Sequence, residues 1–247
     1  MDLNGNKNNY LLNGGVALAI GLVLSSIIFG WFYSSSKKGD EAITVTGSAK
    51  KRIKADLVTW SAGVSYQAPQ LSEAYKSLTD NVPRVKQYLI GKGISENQIT
   101  ISSISTTAQH KQNENGGESS EISGYSLRQT IDVRSNEVDK ISLIAREATE
   151  LINHGILLES GSPHYSFTGL GDLKIEMLGE AAKDAKTRAE KIAASTGNKI
   201  GAVRSARMGV MQITAADSTD VSDGGISDTS SIDKDVTAVV NISFAVN

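Results

Sequence analysis

The feature of the sequence that most constrains its folding is a long uncharged segment near the N-terminus. Residues 11–33 contain no Asp, Glu, Lys or Arg. As a helix rising about 1.5 Å per residue, the segment would reach roughly 34 Å, enough for a bilayer core of about 30 Å. Trp31 and Tyr33 lie at its far end, where aromatic rings favour the membrane interface. The segment therefore predicts a transmembrane anchor.

A cleaved signal peptide is the alternative interpretation of this segment. The apolar region of a signal peptide is usually shorter, about 7–15 residues, which favours the uncleaved anchor. The serines at 34–36 still provide small residues of the kind found at cleavage sites. We expect an N-terminal tail over residues 1–10, an anchor or uncleaved signal over 11–33, and a polar linker over 34–42.

The charges beside the span bear on its orientation. Lys7 precedes it, whereas Lys37, Lys38 and the basic run 50–54 follow it. Read by the positive-inside rule, this distribution would place the following domain in the cytoplasm. Long domains cross membranes largely regardless of flanking charge, so the charges leave the orientation open.

The composition excludes several functional classes. The chain has 25 basic and 27 acidic residues, a formal net charge of -2, and so lacks the basic excess of a dedicated nucleic-acid binder. Cys is absent, which rules out disulfides, thiolate catalysis and Cys-based zinc sites. Aromatic residues make up only 5%, so we expect a core of aliphatic side chains.

The remainder of the chain alternates between strand and helix patterns. Apolar residues at alternate positions predict strands over residues 43–46, 57–66, 99–109, 125–133 and 236–246. Residues 203–213 are predicted as a further strand, and residues 156–167 as an extended segment broken by Gly161 and Pro163. Spacings of three and four predict helices over residues 71–89, 138–152 and 172–195. Pro83 lies inside the first helix and is expected to kink or split it.

These patterns predict the fold class and the domain organisation. We expect one α+β domain over residues 43–247, with antiparallel sheets and packed helices, preceded by the transmembrane helix. Two similar lobes are an alternative, because strand-strand-helix patterns recur. The polar segment 111–121 is typical of a hairpin loop, and the Ser, Thr, Asp and Gly of residues 214–235 predict a flexible loop.

The residues that could carry chemistry form no recognisable signature. His110, His154 and His164 lack a second His or carboxylate at a ligand spacing such as His-Glu-x-x-His, which favours surface or capping roles. No serine lies in a Gly-x-Ser-x-Gly elbow. We therefore expect a non-enzymatic protein with no catalytic, cofactor-binding or metal-binding residues.

Three weaker features each have a simple structural interpretation. Gly169 and Gly171 lack the further residues of a dinucleotide or phosphate loop, which favours a helix entry. The basic run 50–54 would suit anionic lipid, although an exposed turn or strand is favoured. Four aspartates crowd one loop without the bidentate Glu usual in a calcium site: Asp217, Asp220, Asp223 and Asp228.

Three stretches of the sequence, taken in order, carry a family resemblance. They are Ile-Thr-Val-Thr-Gly at 43–47 with Ile-Lys-Ala-Asp-Leu at 53–57, Gly-Tyr at 124–125 leading to Ile-Asp-Val at 131–133, and 184–193 followed by Gly197 and the Ile-Gly pair at 200–201. Together they resemble the SIMPL-domain family of bacterial envelope proteins over residues 43–246. Ala55 replaces the proline that the family usually has.

The resemblance implies an extracytoplasmic α+β domain that forms ring- or channel-like homo-oligomers, with no established enzymatic activity. It also implies a role in envelope integrity or stress tolerance. We accordingly expect a single-pass membrane protein that contacts the bilayer through residues 11–33, with its domain in the periplasm or at the cell surface. A binding module that presents loops 111–121 and 214–235 is the second hypothesis, and a hydrolase built around His154 or His164 is the third.

Overall fold

The fold is α+β with antiparallel sheets, as the sequence predicts. This computed structural model describes residues 15–16, 18–31, 41–112 and 117–247. Its helices are α1 (18–31), α2 (Leu71–Gly91), α3 (Val138–Glu147) and α4 (Leu170–Ser195). Its strands are β1 (Ala42–Lys54), β2 (Leu57–Ala68), β3 (Ile99–Ile101), β4 (Ser105–Gln112), β5 (Glu118–Ser135), β6 (Leu158–Ser160), β7 (His164–Ser166), β8 (Ile200–Met208), β9 (Gln212–Ala215) and β10 (Asp233–Val246).

The helices of the described residues contradict the predicted localisation in a membrane. Within the described part of the chain, no helix combines the length and the apolar character needed to cross a membrane. The prediction of a single-pass membrane protein anchored through residues 11–33 is therefore wrong. Both ends of that span, the tail 1–10 and most of the linker 34–42 lie outside the described residues.

The chain divides into two compact units that share β1, α4 and β10. The first, which we call the terminal unit, consists of Met1–Ser48, Leu178–Gly209 and Val239–Asn247. The second, the central unit, consists of Ala49–Met177 and Val210–Ala238.

The core of the central unit lies between one antiparallel sheet and two helices. The sheet has the strand order β3-β5-β2-β6, with β4 also paired to β5 and β7 also paired to β2. Helix α2 packs on β2 and β5, and α3 packs on β2. The residues of β2 predicted to share an apolar face are all buried: Val58, Trp60, Ala62 and Val64. The period-two pattern of β2 therefore identified the core face correctly.

The two helices of this unit differ in detail from their sequence patterns. Helix α2 runs through Pro83 as one element rather than two, with its apolar stripe buried from Ala74 to Leu89. Helix α3 ends at Glu147, and a 3₁₀ segment, Ala148–His154, continues it. Gly155 then ends the segment with a φ of 77°, a left-handed conformation that glycine adopts without strain.

The terminal unit is built on a very close contact between α4 and β1. A Cβ at Gly47 would lie 2.2 Å from the carbonyl oxygen of Ala181 and 2.4 Å from the nitrogen of Ala185. Glycine at this position therefore lets the two backbones touch. The helix residues of this unit that face the sheet are all buried alanines: Ala181, Ala185, Ala189 and Ala193.

The strands of the terminal unit follow the predicted alternation. Val240, Ile242 and Phe244 of β10 are buried, whereas Asn241 and Ser243 lie on the other face. On that polar face the Asn241 amide donates to the Thr46 hydroxyl at 3.2 Å, and the Thr44 hydroxyl donates to Ser243 at 3.2 Å. The strand predicted over 203–213 is interrupted at Gly209, whose N–H donates to Val239, and becomes β8 and β9.

The contact at Gly47 predicts a strong sensitivity to one methyl group. We expect Gly47→Ala to lower the free energy of unfolding by about 3 kcal/mol, because its Cβ would overlap the backbone of α4. The matched control is Gly179→Ala in α4, where a Cβ meets no atom within 4 Å. This change should raise stability by about 0.5–1 kcal/mol through helix propensity. Urea unfolding measures both, and equal effects at the two positions would contradict the packing.

Candidate functional site

The basic run at the end of β1 is neutralised by the chain's own carboxylates. The structure assigns a partner to every cation of the run: Lys50 to Asp235, Lys51 to Glu176, Arg52 to Asp217 and Asp235, and Lys54 to Asp139. Because each cation is already paired, the run does not form a free patch for anionic lipid. The exposed-strand interpretation favoured by the sequence describes it better.

Asp235 is the centre of this ion-pair group. Its side chain is only 2% exposed, and its two oxygens accept hydrogen bonds from Arg52 and from the Asp217 N–H and contact Lys50. The bonds from Arg52, from Asp217 and from Lys50 hold the pKa of Asp235 well below its usual range. Side-chain hydrogen bonds from Arg52 to Asp235 and to Asp217 raise the pKa of Arg52. We conclude that this carboxylate fixes β1 to β10 within the central unit.

A second ion pair, between Lys234 and Asp228, connects the predicted loop 214–235 to β10. Lys234 is almost fully buried, and its Nζ donates to the Asp228 carboxylate at 3.0 Å and to the Asp228 carbonyl at 2.6 Å. Burial raises the pKa of Asp228, but bonds from Ser230, Ser231 and Lys234 outweigh it and leave that pKa well below the usual range. The second half of the loop is therefore tied to β10.

Backbone hydrogen bonds fasten the same half of the loop to neighbouring strands. The Tyr165 N–H donates to Thr229, the Asp228 N–H to Ile213 and the Ala55 N–H to Ile232, each within 3.0 Å. Asp217 and Asp228 are thus engaged in separate contacts, and the four aspartates of the loop do not converge. In the described residues, no group of His, Asp and Glu has the arrangement needed to hold a metal ion.

The tip of this loop remains exposed. We call residues 218–223 the acidic tip, because Asp220 and Asp223 lie on it with Val221 between them. Val221 is 80% exposed. At the base, the Gln212 amide donates to the Ser222 carbonyl at 2.7 Å, and its own Oε1 is a buried acceptor without a donor among the described atoms. The tip is therefore an exposed apolar residue between two carboxylates on a held base.

The three histidines lie on separate elements. His110 is exposed on β4, His154 ends the 3₁₀ segment, and His164 is exposed on β7 with Nδ1 3.4 Å from the Thr229 hydroxyl. The hydrolase hypothesis, built around His154 or His164, stays a prediction.

The Gly169 and Gly171 segment is a helix entry bound by a carboxylate. Oδ1 of Asp56 accepts the Thr168 N–H at 2.7 Å, and Oδ2 accepts the Thr168 hydroxyl at 2.7 Å. This places a negative charge beside the first turn of α4, where the helix dipole favours it. Sequence reasoning did not assign a role to Asp56, although it lies in one of the stretches that carry the family resemblance.

Strand β8 is an edge strand of its sheet. It pairs with β10 alone, and no other described strand occupies its outer edge. Across the ladder, Met208 lies opposite Val240, Ala206 opposite Ile242, and Val203 opposite Phe244. Residues paired in this way project to the same face, so β8 continues the apolar face that β10 buries.

That continuation is left uncovered. Val203 is 57% exposed and Met208 is 71% exposed, and Ala206 between them is also exposed. Helix α4 packs on β1, where it touches Gly47 and where its Asp184 accepts the Ser48 N–H at 2.9 Å. We call Val203, Ala206 and Met208 the β8 strip. It is an apolar surface beside an open strand edge, a combination that folded proteins usually cover.

A second exposed apolar feature is an open groove in the central unit. Leu71 and Tyr75 of α2 form one wall, and Ile104, Tyr125 and Leu127 line the other side. Leu71 and Tyr75 are both exposed. This groove is separate from loop 111–121, part of which lies outside the described residues.

Comparison with known proteins identifies the family of the chain. The sequence model of the family described as "SIMPL: Protein of unknown function (DUF541)" matches residues 43–244, from β1 to β10. A comparison with curated proteins finds no match. The matched region includes both ion-pair groups and the whole of β8.

The environment of Asp235 predicts a specific pH dependence of stability. Because its folded pKa is depressed, its contribution is present above the unfolded pKa of about 3.9 and is lost as pH falls through the folded value. We expect Asp235→Asn to be less stable than the wild type at pH 7, with a gap that narrows towards about pH 2. Urea unfolding at several pH values measures the gap.

The control for this prediction is Asp80→Asn, at an exposed carboxylate of α2. Its effect should be small at every pH. If the Asp235→Asn gap stayed constant from pH 7 to the acid limit, the carboxylate would not be the stabilising group.

Proposed function

The chain belongs to the SIMPL family, and on that premise we propose that it is a non-enzymatic assembly module whose copies form a homo-oligomer through strand β8. The family is described as one of unknown function, so its membership supplies no reaction. The observation that supports the proposal is the exposed β8 strip beside an open strand edge.

The energetics of this surface favour association. Burial of a Val or Met side chain is worth about 1.5–3 kcal/mol, and Val203 and Met208 both remain exposed in the single chain. Among the described strands β8 pairs only with β10, and open edges of a sheet are templates for another strand. A second copy that covers β8 would satisfy both requirements.

The physical causes of the pKa shifts of Arg52, Asp228 and Asp235 support the non-enzymatic part of the proposal. Such shifts often mark catalytic groups. Here Arg52, Asp228 and Asp235 owe their shifts to bonds with one another or with neighbouring groups of the chain. Those bonds join strands and loops, which is a structural role. A ring- or channel-like form and a role in envelope integrity or stress tolerance are parts of the proposal that rest on the family alone.

The test is the oligomeric state of the full chain by sedimentation velocity over a range of concentrations. We expect the wild type to sediment as a species of several copies. Val203→Lys with Met208→Lys should sediment with the mass of one copy, because two charges replace the apolar contact. An unchanged circular dichroism spectrum would show that this variant still folds.

The matched control changes two exposed leucines of the central unit, Leu143→Lys with Leu157→Lys, and should leave the oligomer intact. A wild type that stays at the mass of one copy up to about 100 μM, well above the micromolar range typical of specific complexes, would refute the proposal.

A binding module is the second candidate, and the groove of the central unit is the observation that favours it. Its walls are apolar and aromatic, with few polar groups, which is the usual lining of small-ligand sites. The second half of loop 214–235 is pinned by Lys234 and Asp228, so only its tip would be presented to a partner.

The apolar dye anilinonaphthalene sulfonate is a probe for this groove. If the groove binds apolar ligands, Leu71→Asp with Tyr75→Asp should remove most of the dye's fluorescence enhancement. The Val203→Lys and Met208→Lys variant serves as the comparison, because it alters the other exposed apolar surface. Loss of the signal only in that comparison variant would count against a ligand site in the groove.

A further inference from the structure

The charge of β8 restricts what can cover it. The strand carries two arginines, Arg204 and Arg207, and no acidic residue. Arg207 lies opposite Asn241, so it projects to the face opposite the β8 strip, and its side chain is exposed. Like charges placed across a strand pair are destabilising, so two β8 strands side by side would concentrate positive charge. A partner that is apolar and acidic fits the strand better.

The acidic tip of the central unit has the complementary chemistry. Val221 is the apolar residue there, and Asp220 and Asp223 flank it, all three exposed. Asp220 accepts a hydrogen bond from the Ser218 hydroxyl at 2.8 Å. The salt bridges found among the described residues include neither Asp220 nor Asp223, in contrast to Asp217, Asp228 and Asp235 of the same region.

The tip is held in place before any partner arrives. The Ser222 carbonyl accepts from the Gln212 amide at 2.7 Å and from the Gly225 N–H at 3.0 Å. The Ser218 N–H donates to the Ala215 carbonyl at 3.1 Å. A segment that is already ordered loses less conformational entropy on binding, so its few contacts contribute more of their energy to affinity.

We propose that the acidic tip of one copy docks on strand β8 of a second copy. Val221 covers the Met208 end of the β8 strip, and Asp220 and Asp223 reach across the open edge of β8 to Arg207 on the other face. This inference rests on the proposed function, and it identifies the partner of β8 as a different surface of the same chain. Charge complementarity of this kind makes the assembly dependent on ionic strength, because exposed charges are screened by salt.

The experiment reverses the charge on each side of the contact in the full chain. The tip variant is Asp220→Lys with Asp223→Lys, and the strand variant is Arg207→Glu. We expect each alone to raise the dissociation constant of the assembly at least about tenfold, the size of effect seen for close charge pairs across interfaces. Sedimentation velocity measures this at about 0.05 M and 0.5 M salt, and the wild type should be weaker at the higher value.

An equimolar mixture of the two variants is the decisive sample. In the mixture, a reversed strand meets a reversed tip and each native strand meets a native tip, so association should return to near the wild-type level. Restoration by mixing also shows that both variants are folded. The control is Asp80→Lys with Glu180→Lys, which changes the net charge as the tip variant does at exposed helical positions, and it should assemble normally.

The possible results separate this inference from the proposed function. If the wild type and the tip variant assemble equally well, or if mixing restores nothing, the acidic tip is not the partner of β8, while assembly through β8 stands. If the wild type does not assemble at any concentration, the proposed function and the inference fail together.

Discussion

The backbone contact between α4 and β1 at Gly47 determines which surfaces of the terminal unit are covered. Without a Cβ at this position, the carbonyl of Ala181 and the nitrogen of Ala185 lie directly against the strand. Asp184 strengthens the contact by accepting the Ser48 N–H. The helix therefore lies over β1, and β8 at the opposite side of β10 keeps its apolar residues exposed. The exposed strip is a consequence of where the helix packs.

Charge in the central unit is used mainly for internal attachment. Asp235 joins two cations of β1 to β10, and Lys234 joins the loop to the same strand through Asp228. Asp235 and Lys234 are both buried, and a buried charge that loses its partner is left unpaired at a high cost. They therefore specify one arrangement of the loop. The salt bridges found among the described residues do not include Asp220 or Asp223, and in this the acidic tip differs from the rest of its loop.

A family without an assigned activity is best approached through the surfaces that its members leave unsatisfied. In this chain the pKa values of Arg52 and Asp235 are displaced by bonds that join strands, and the histidines lie on separate elements. Among the described residues, the exposed β8 strip, the exposed groove and the exposed apolar side chains of α1 are features that folding of one chain leaves uncovered. Of these, β8 combines an open edge, an apolar face and a basic charge, and an acidic, apolar counterpart exists on the same chain. On these grounds we favour the proposed self-assembly over the proposed ligand binding.

The sequence by itself determined the fold class, the buried face of β2, the apolar stripe of α2 and the family, because these depend on local periodicity and on the order of short stretches. It predicted a membrane anchor over residues 11–33, whereas no helix of the described residues has the length and apolar character to cross a membrane. It could not show that the run 50–54 is neutralised, that Asp56 binds the entry of α4, or that β8 is exposed. Those facts join residues far apart in the chain, such as Arg52 and Asp235 or Gly47 and Ala181, and only tertiary packing decides which of them meet.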